Sequence, residues 1–160
     1  MGERISLTVN GRLHTLELEG WEKLLDILRE HLNLTGSKRG CDDATCGACT
    51  VVLNGEAVKA CVTTAKKCAG GEVLTIEGLA DGEKLHPIQQ ALIEAGAVQC
   101  GYCTPGIVME LYALFQKSPG AEDEEIRKAL SKHLCRCTGY EAILEGALSA
   151  REAMRKQAKA

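Results

Sequence analysis

Residues 1–78 of this 160-residue sequence read as an α+β unit built on a mixed sheet, and residues 79–160 as a helical unit. Three observations predict that fold class. Apolar residues alternate with period two on both sides of an Asn-Gly pair, twice in the first half, which is the pattern of a strand, a tight turn and a strand. Beyond residue 84 the apolar residues recur at intervals of three and four, the period of helices with one buried face. Between the two patterns lies GLADGEK, residues 78–84, whose glycines and charges suit a connection rather than a core.

Each element follows from its own residues. In residues 4–9, Ile5, Leu7 and Val9 share a face. Asn10-Gly11 supplies both left-handed positions of a type I′ turn, and residues 12–18 return as the second strand. Residues 21–32 are expected to be helical, since Leu24, Leu25, Leu28 and Leu32 fall on one stripe. The segment GSKRGCDDATCGAC, residues 36–49, has no period and reads as a loop. Residues 50–53 and 56–60 flank Asn54-Gly55 as a second hairpin that ends at Cys61, and residues 72–76 read as a last strand. In the second half Pro87 suits the first turn of a helix carrying Ile88, Ala91, Leu92 and Ala95, which Gly96 would terminate. Thr104-Pro105 opens a second helix with Ile107, Val108, Leu111 and Leu114 on its buried face. A third is expected over residues 123–134, with Ile126, Ala129, Leu130 and Leu134 inward. The fourth is expected to open on a capping box, Thr138-Gly139-Tyr140-Glu141, ahead of Ile143, Leu144, Ala147 and Leu148. Four such helices make a small bundle.

Composition excludes several functions. A formal net charge of −3, with no basic stripe, gives no footprint for nucleic acid. No apolar run approaches the length of a membrane span, so no membrane insertion is expected. The start, MGERISLTVNG, lacks the apolar core of an export signal, which argues for a cytoplasmic protein with reduced thiols. Hydrophobic residues make up 45% of the chain but aromatics only 3%, and a small domain with so few aromatics commonly needs a further staple such as a metal.

The chain has nine cysteines, eight of which fall into two tetrads. Cys41, Cys46, Cys49 and Cys61 are spaced C-x4-C-x2-C-x11-C, and the first three follow the plant-type [2Fe–2S] ferredoxin pattern. Cys100, Cys103, Cys135 and Cys137 are spaced C-x2-C-x31-C-x-C. An oxidised [2Fe–2S] core with four thiolates carries a charge of roughly −2, and about −3 once reduced, so burying it requires donors aimed at the sulfurs. Glycines around Cys41–Cys49 would let backbone N–H groups approach, and the second tetrad would use the N-termini of the second and fourth helices. Structural zinc is the rival reading, since C-x2-C pairs also serve tetrahedral sites. Cys68, left over, reads as a small buried hydrophobe. His14, His31, His86 and His133 show no paired metal spacing and read as surface or helix-end residues. No Walker loop, dinucleotide fingerprint or nucleophile–base motif is present, so no catalytic centre is expected in this chain alone. Two clusters in one small chain would form a wire for single electrons.

CDDATCGACTVVLNGEAVKAC resembles the plant-type ferredoxin module of the molybdenum hydroxylases, and QCGYCTPGIVM with CRCTGY resembles the helical second-cluster module of the same family. The resemblance covers residues 4–155. It implies a β-grasp fold for the first unit and a four-helix-bundle cluster domain for the second. It further implies an electron-transfer subunit of a xanthine dehydrogenase, aldehyde oxidoreductase, carbon monoxide dehydrogenase, nicotinate dehydrogenase or hydroxybenzoyl-coenzyme A reductase type of enzyme. Its partners would be a large molybdopterin-binding subunit and a medium FAD-binding subunit. The first tetrad would lie toward the flavin and the second toward the pterin, with Gln99 in contact with the pterin and Cys137 its nearest cluster ligand. A soluble ferredoxin acting alone is the nearer alternative, and a zinc-stabilised adaptor the more distant one.

Overall fold

The computed structural model describes residues 2–158. Strands β1 (Glu3–Val9) and β2 (Arg12–Leu18) pair antiparallel, as do β3 (Thr50–Leu53) and β4 (Glu56–Lys59). Asn10 and Gly11 have φ of 49° and 78°, and Asn54 and Gly55 have 50° and 82°, so both turns take the left-handed pairs their sequence offers. Strand β5 (Glu72–Leu74) joins the hairpins, antiparallel to β3 and parallel to β1, giving the order β2-β1-β5-β3-β4.

The expected helix over residues 21–32 is shorter and irregular. Lys23 is extended and bridges to Thr64, leaving Trp21 71% exposed, and α1 covers only Leu24–Asp26. It continues as a π-turn over Ile27–His31, with Leu32 N–H bonding back to the Ile27 carbonyl at 3.1 Å. A second short helix, α2 (Ala65–Cys68), went unread in the sequence. The last strand ends before Thr75, whose backbone N–H and hydroxyl are both engaged by the Asn10 side chain, and a 3-10 turn covers Ile76–Gly78.

Beyond the connection run α3 (Pro87–Glu94), α4 (Thr104–Lys117), α5 (Asp123–Leu130) and α6 (Glu141–Ala158). His86 caps α3 in a capping box with Gln89, and Pro87 sits in the first turn as expected. Helix α5 stops at Leu130 rather than at 134, and Leu134 is 57% exposed rather than inward. The expected box at the head of α6 is also absent. The Thr138 hydroxyl accepts from Tyr140 N–H, and Tyr140 takes a φ of 72°, so the helix begins only at Glu141.

Helix α4 organises the molecule. Its Ile107, Val108, Leu111 and Phe115 pack with α3, α5 and α6, while Met109 and Ala113 pack on Val52 of the sheet. A helix apolar on both sides is a buried helix. Strand β3 therefore loses water on both faces: Val51 and Leu53 point toward Leu24, Leu25 and Leu28, and Val52 toward α4.

Candidate metal centres

The first four cysteines lie on a loop pinned at its base and on the turn that follows β4. Lys38 N–H bonds to the Ala48 carbonyl at 3.1 Å, and the Arg29 guanidinium donates to the Thr35 and Ser37 carbonyls, both at 2.9 Å. Within the loop Asp42, Ala44 and Gly47 have φ of 61°, 71° and 75°, so successive peptides reverse and turn their N–H groups inward. Cys46 N–H reaches Cys41 Sγ at 3.4 Å, and the amides of Ala48 and Ala44 serve Cys46 and Cys61. A Cβ on Gly40 would come within 2.7 Å of Cys46 Sγ, so only glycine fits against that sulfur. The Cys41 thiol pairs with Cys46 and the Cys49 thiol with Cys61, and both pairs sense one another electrostatically.

The second tetrad forms where α4 begins. Cys103 is the N-cap of that helix, consistent with a site at its N-terminus. The other helix end lies farther off, because α6 starts four residues after Cys137, and side chains take its place. The Thr138 hydroxyl donates to Cys135 Sγ at 3.2 Å. Tyr140 Oη accepts from Cys135 N–H at 2.8 Å and donates to the His133 carbonyl at 3.1 Å. Here Cys103 pairs with Cys135 and Cys137 with Cys100. Gln99 lies exposed beside the exposed Cys100.

None of the nine cysteines is in a disulfide. Burial pushes the thiols of Cys61 and Cys103 up to about 12. At Cys41 the hydrogen bond to Asp43 acts to raise the thiol, but the N–H groups of Cys46 and Asp43 outweigh it and the net shift is downward. At Cys135 burial acts to raise it, and the Thr138 hydroxyl with the amides of Cys137 and Thr138 brings it down. Donors aimed at sulfur are what a thiolate-bound anionic core requires. Among the described residues no three His, Cys, Asp or Glu side chains are placed to hold one metal ion. Two thiol pairs per site suit a core of two irons, each iron held by one pair. Cys68 is fully buried, its thiol donating to the Thr64 carbonyl and pushed up to about 11 by burial.

The two cysteine loops touch directly. Leu134 N–H donates to the Cys46 carbonyl at 2.9 Å, and Tyr102 Oη donates to the Arg39 carbonyl at 2.5 Å. Gly47 lies so close to α4 that a Cβ on Gly106 would stand 2.2 Å from the Gly47 oxygen. Sequence reasoning missed what surrounds this crossing. Glu110 is 5% exposed and His133 1%, and the carboxylate meets Lys132 Nζ at 2.5 Å, His133 Nε2 at 3.4 Å and Lys59 Nζ at 3.6 Å. Burial works to raise the Glu110 carboxyl, but hydrogen bonds from His133 and Lys132 and the charge of Lys59 hold it down at about 2. The same burial lowers His133, contrary to its reading as a surface or helix-end residue. The available signal was an acid inside the apolar run IVMELYALF.

Comparison with known proteins agrees with this geometry. Residues 14–94 match a family described as a 2Fe-2S iron-sulfur cluster binding domain, and residues 75–148 match a [2Fe-2S] binding domain. The chain is 47% identical over 136 residues to the nicotinate dehydrogenase small FeS subunit of Eubacterium barkeri, covering 85% of this chain and 87% of that one. It superposes on a chain of quinoline 2-oxidoreductase from Pseudomonas putida 86 with a TM-score of 0.90, 38% identity and 97% coverage of both. It also superposes on aldehyde oxidoreductase from Desulfovibrio gigas with a TM-score of 0.92 and 37% identity, there covering 97% of this chain but 17% of the other. Among the described residues no helix is long and apolar enough to cross a membrane. The chain belongs to the family of electron-transferring [2Fe–2S] subunits of the molybdenum hydroxylases.

Proposed function

We propose that this chain relays single electrons between a molybdenum–pterin centre on a large partner subunit and FAD on a medium one. Cys41, Cys46, Cys49 and Cys61 would hold one [2Fe–2S] cluster, and Cys100, Cys103, Cys135 and Cys137 the other. When bound, each cluster takes up and releases one electron at a time. The chain's own residues hold the thiolates, aim N–H and O–H donors at them, and fix the two sites against each other. The observation that carries the reading is the pair of thiol tetrads joined through the Cys46 carbonyl and Leu134 N–H. Leu134 is followed directly by Cys135, so one peptide and one hydrogen bond connect a residue of each tetrad.

The two sites differ in access. Cys49 and Cys61 are buried, while Cys100 and Cys137 are exposed, with Gln99 also exposed beside Cys100. That exposed edge is the side we assign to the pterin, with Gln99 and Cys137 in contact with it, and the first tetrad is the side we assign to the flavin. The fold reading that goes with this is a β-grasp ferredoxin unit to residue 78 and a helical cluster unit from residue 79, working in the cytoplasm. The chemistry on the substrate belongs to the large subunit, and this chain contributes the path.

The deciding experiment is metal and spectroscopic analysis of the purified chain. Iron and acid-labile sulfide should each come to about four per chain. The reduced protein should give two electron-resonance signals of different relaxation. Stoichiometric zinc, or a single signal, would overturn the relay. Co-purification with two larger subunits separates a subunit of a complex from a carrier acting alone.

A further inference from the structure

We infer that Glu110 is a positioning residue for electron passage between the two tetrads, holding the Cys46–Leu134 link in place. The inference rests on the relay reading above. Glu110 stands one helical turn after Gly106 and shares its face of α4, the face that meets the first cysteine loop. Its carboxylate reaches in two directions. Toward the first tetrad it meets Lys59 Nζ, which also donates to Thr50 Oγ1 at 2.8 Å. Thr50 Oγ1 in turn donates to the Gly47 carbonyl at 2.7 Å. Toward the second tetrad it binds Lys132 and His133, the two residues immediately before Leu134 and Cys135. The link between the cysteine loops is thus clamped from both sides by one carboxylate.

A merely apolar residue would have filled this place in the core more cheaply. Burying a carboxylate with a lysine and a histidine costs desolvation that the pairing scarcely recovers, so such a group is weak evidence for stability. What it supplies is direction: three donors from β4 and from the turn after α5 converge on two oxygens. The His133 ring is fixed by the Nε2 contact, and its Nδ1, without a hydrogen-bond partner, faces Gly47, where a Cβ would come within 2.5 Å. Any rotation of that turn would carry Leu134 N–H away from the Cys46 carbonyl.

The test uses the full chain with its clusters, comparing Glu110→Leu, Glu110→Gln and Glu110→Asp with the parent. Two readouts are taken: the spin–spin splitting between the two reduced clusters, and the rate at which an electron redistributes between them after flash reduction. In E110L both individual signals should persist, the splitting should change, and redistribution should slow severalfold, because tunnelling weakens steeply when a contact in its path is lost. E110D should restore most of both. A purely structural role would lower melting temperature or cluster content while leaving the splitting and the rate per loaded molecule as in the parent, and that result would overturn the inference. If E110L fails to load, E110Q decides: its isosteric amide keeps the volume and loses the charge pairing, and parent-like splitting and rate in E110Q would equally overturn it. Absence of two distinct signals in the parent itself would instead count against the relay.

Discussion

The first tetrad takes its donors mainly from the backbone, while the second adds side chains to its backbone donors. Around Cys41 and Cys46 three left-handed residues turn peptide N–H groups onto sulfur, and Cys49 and Cys61 are 1% and 4% exposed. Around Cys135 the Thr138 hydroxyl joins the amides of Cys137 and Thr138 on the sulfur, Tyr140 holds the Cys135 backbone, and Cys100 and Cys137 stay on the surface. A cradle of backbone is insensitive to side-chain substitution but intolerant of any added Cβ. A cradle of side chains stays open on one face, where another molecule can approach. The same chain therefore contains one site with two buried thiols and one with two thiols on the surface.

The largest test of that contrast is Cys46→Ser. It should abolish the first cluster's signal and loosen the strand-rich half, because structural metals contribute directly to folding. The helical tetrad shares no ligand with it and should keep its own signal. Loss of both signals from a soluble protein would show that the two sites assemble as one. Next in size is Gly106→Ala. The new Cβ would stand 2.2 Å from a backbone oxygen that cannot swing away, so overpacking by about 1–3 kcal/mol or more is expected. Thermal unfolding should register this, while Gly120→Ala, with nothing within 4 Å, should be near silent.

Gln99→Ala sharpens the open face. Both clusters should assemble, since Gln99 is no ligand, but substrate-driven reduction of the second cluster in the assembled complex should slow. A lost hydrogen bond that leaves a buried partner unpaired is worth about 1–3 kcal/mol. Reduction of the first cluster from the side proposed to face the flavin should persist. Rapid mixing resolves the two routes, and an unchanged substrate-driven rate would remove Gln99 from the path.

The smallest effect lies away from both sites and serves as their reference. His86 caps α3 by accepting the Ile88 N–H at Nδ1, which requires a neutral ring, and burial lowers it from its ordinary value of 6.5. The unfolded chain therefore takes up that proton first. The contribution to stability is complete above pH 6.5 and declines as pH falls toward the folded value. His86→Asn keeps an acceptor at the cap without titrating, so its unfolding profile should be flatter than the parent's just below pH 6.5. A parallel profile would place the pH dependence elsewhere.

Local features were legible from the sequence. The Asn-Gly hairpins, the Pro87 helix start and the grouping of eight cysteines into two sets all depend on neighbours close in the chain. What escaped depends on residues far apart. Helix α5 ends early as Lys132 and His133 N–H groups turn to third-neighbour carbonyls and Leu134 N–H serves the Cys46 carbonyl, and nothing in residues 123–134 announces that acceptor. The head of α6 lost its capping box because the Thr138 hydroxyl accepts from Tyr140 N–H, and Tyr140, at a φ of 72°, stands outside the helix. The irregular turn over Ile27–His31 precedes the segment whose carbonyls Arg29 must reach. Glu110 could have been flagged as an acid in an apolar stripe, but its partners on β4 and after α5 could not be named from spacing.

The close approach of Gly47 to Gly106 also bears on how the protein is made. The first cysteine loop leaves the ribosome well before α4 exists, and its Gly47 carbonyl and Cys46 carbonyl then have neither Gly106 nor Leu134 against them. Synthesis alone cannot close the loop, because its cover is encoded downstream. Iron delivered to a nascent chain would meet an unfinished site, and iron delivered after release would meet both sites together.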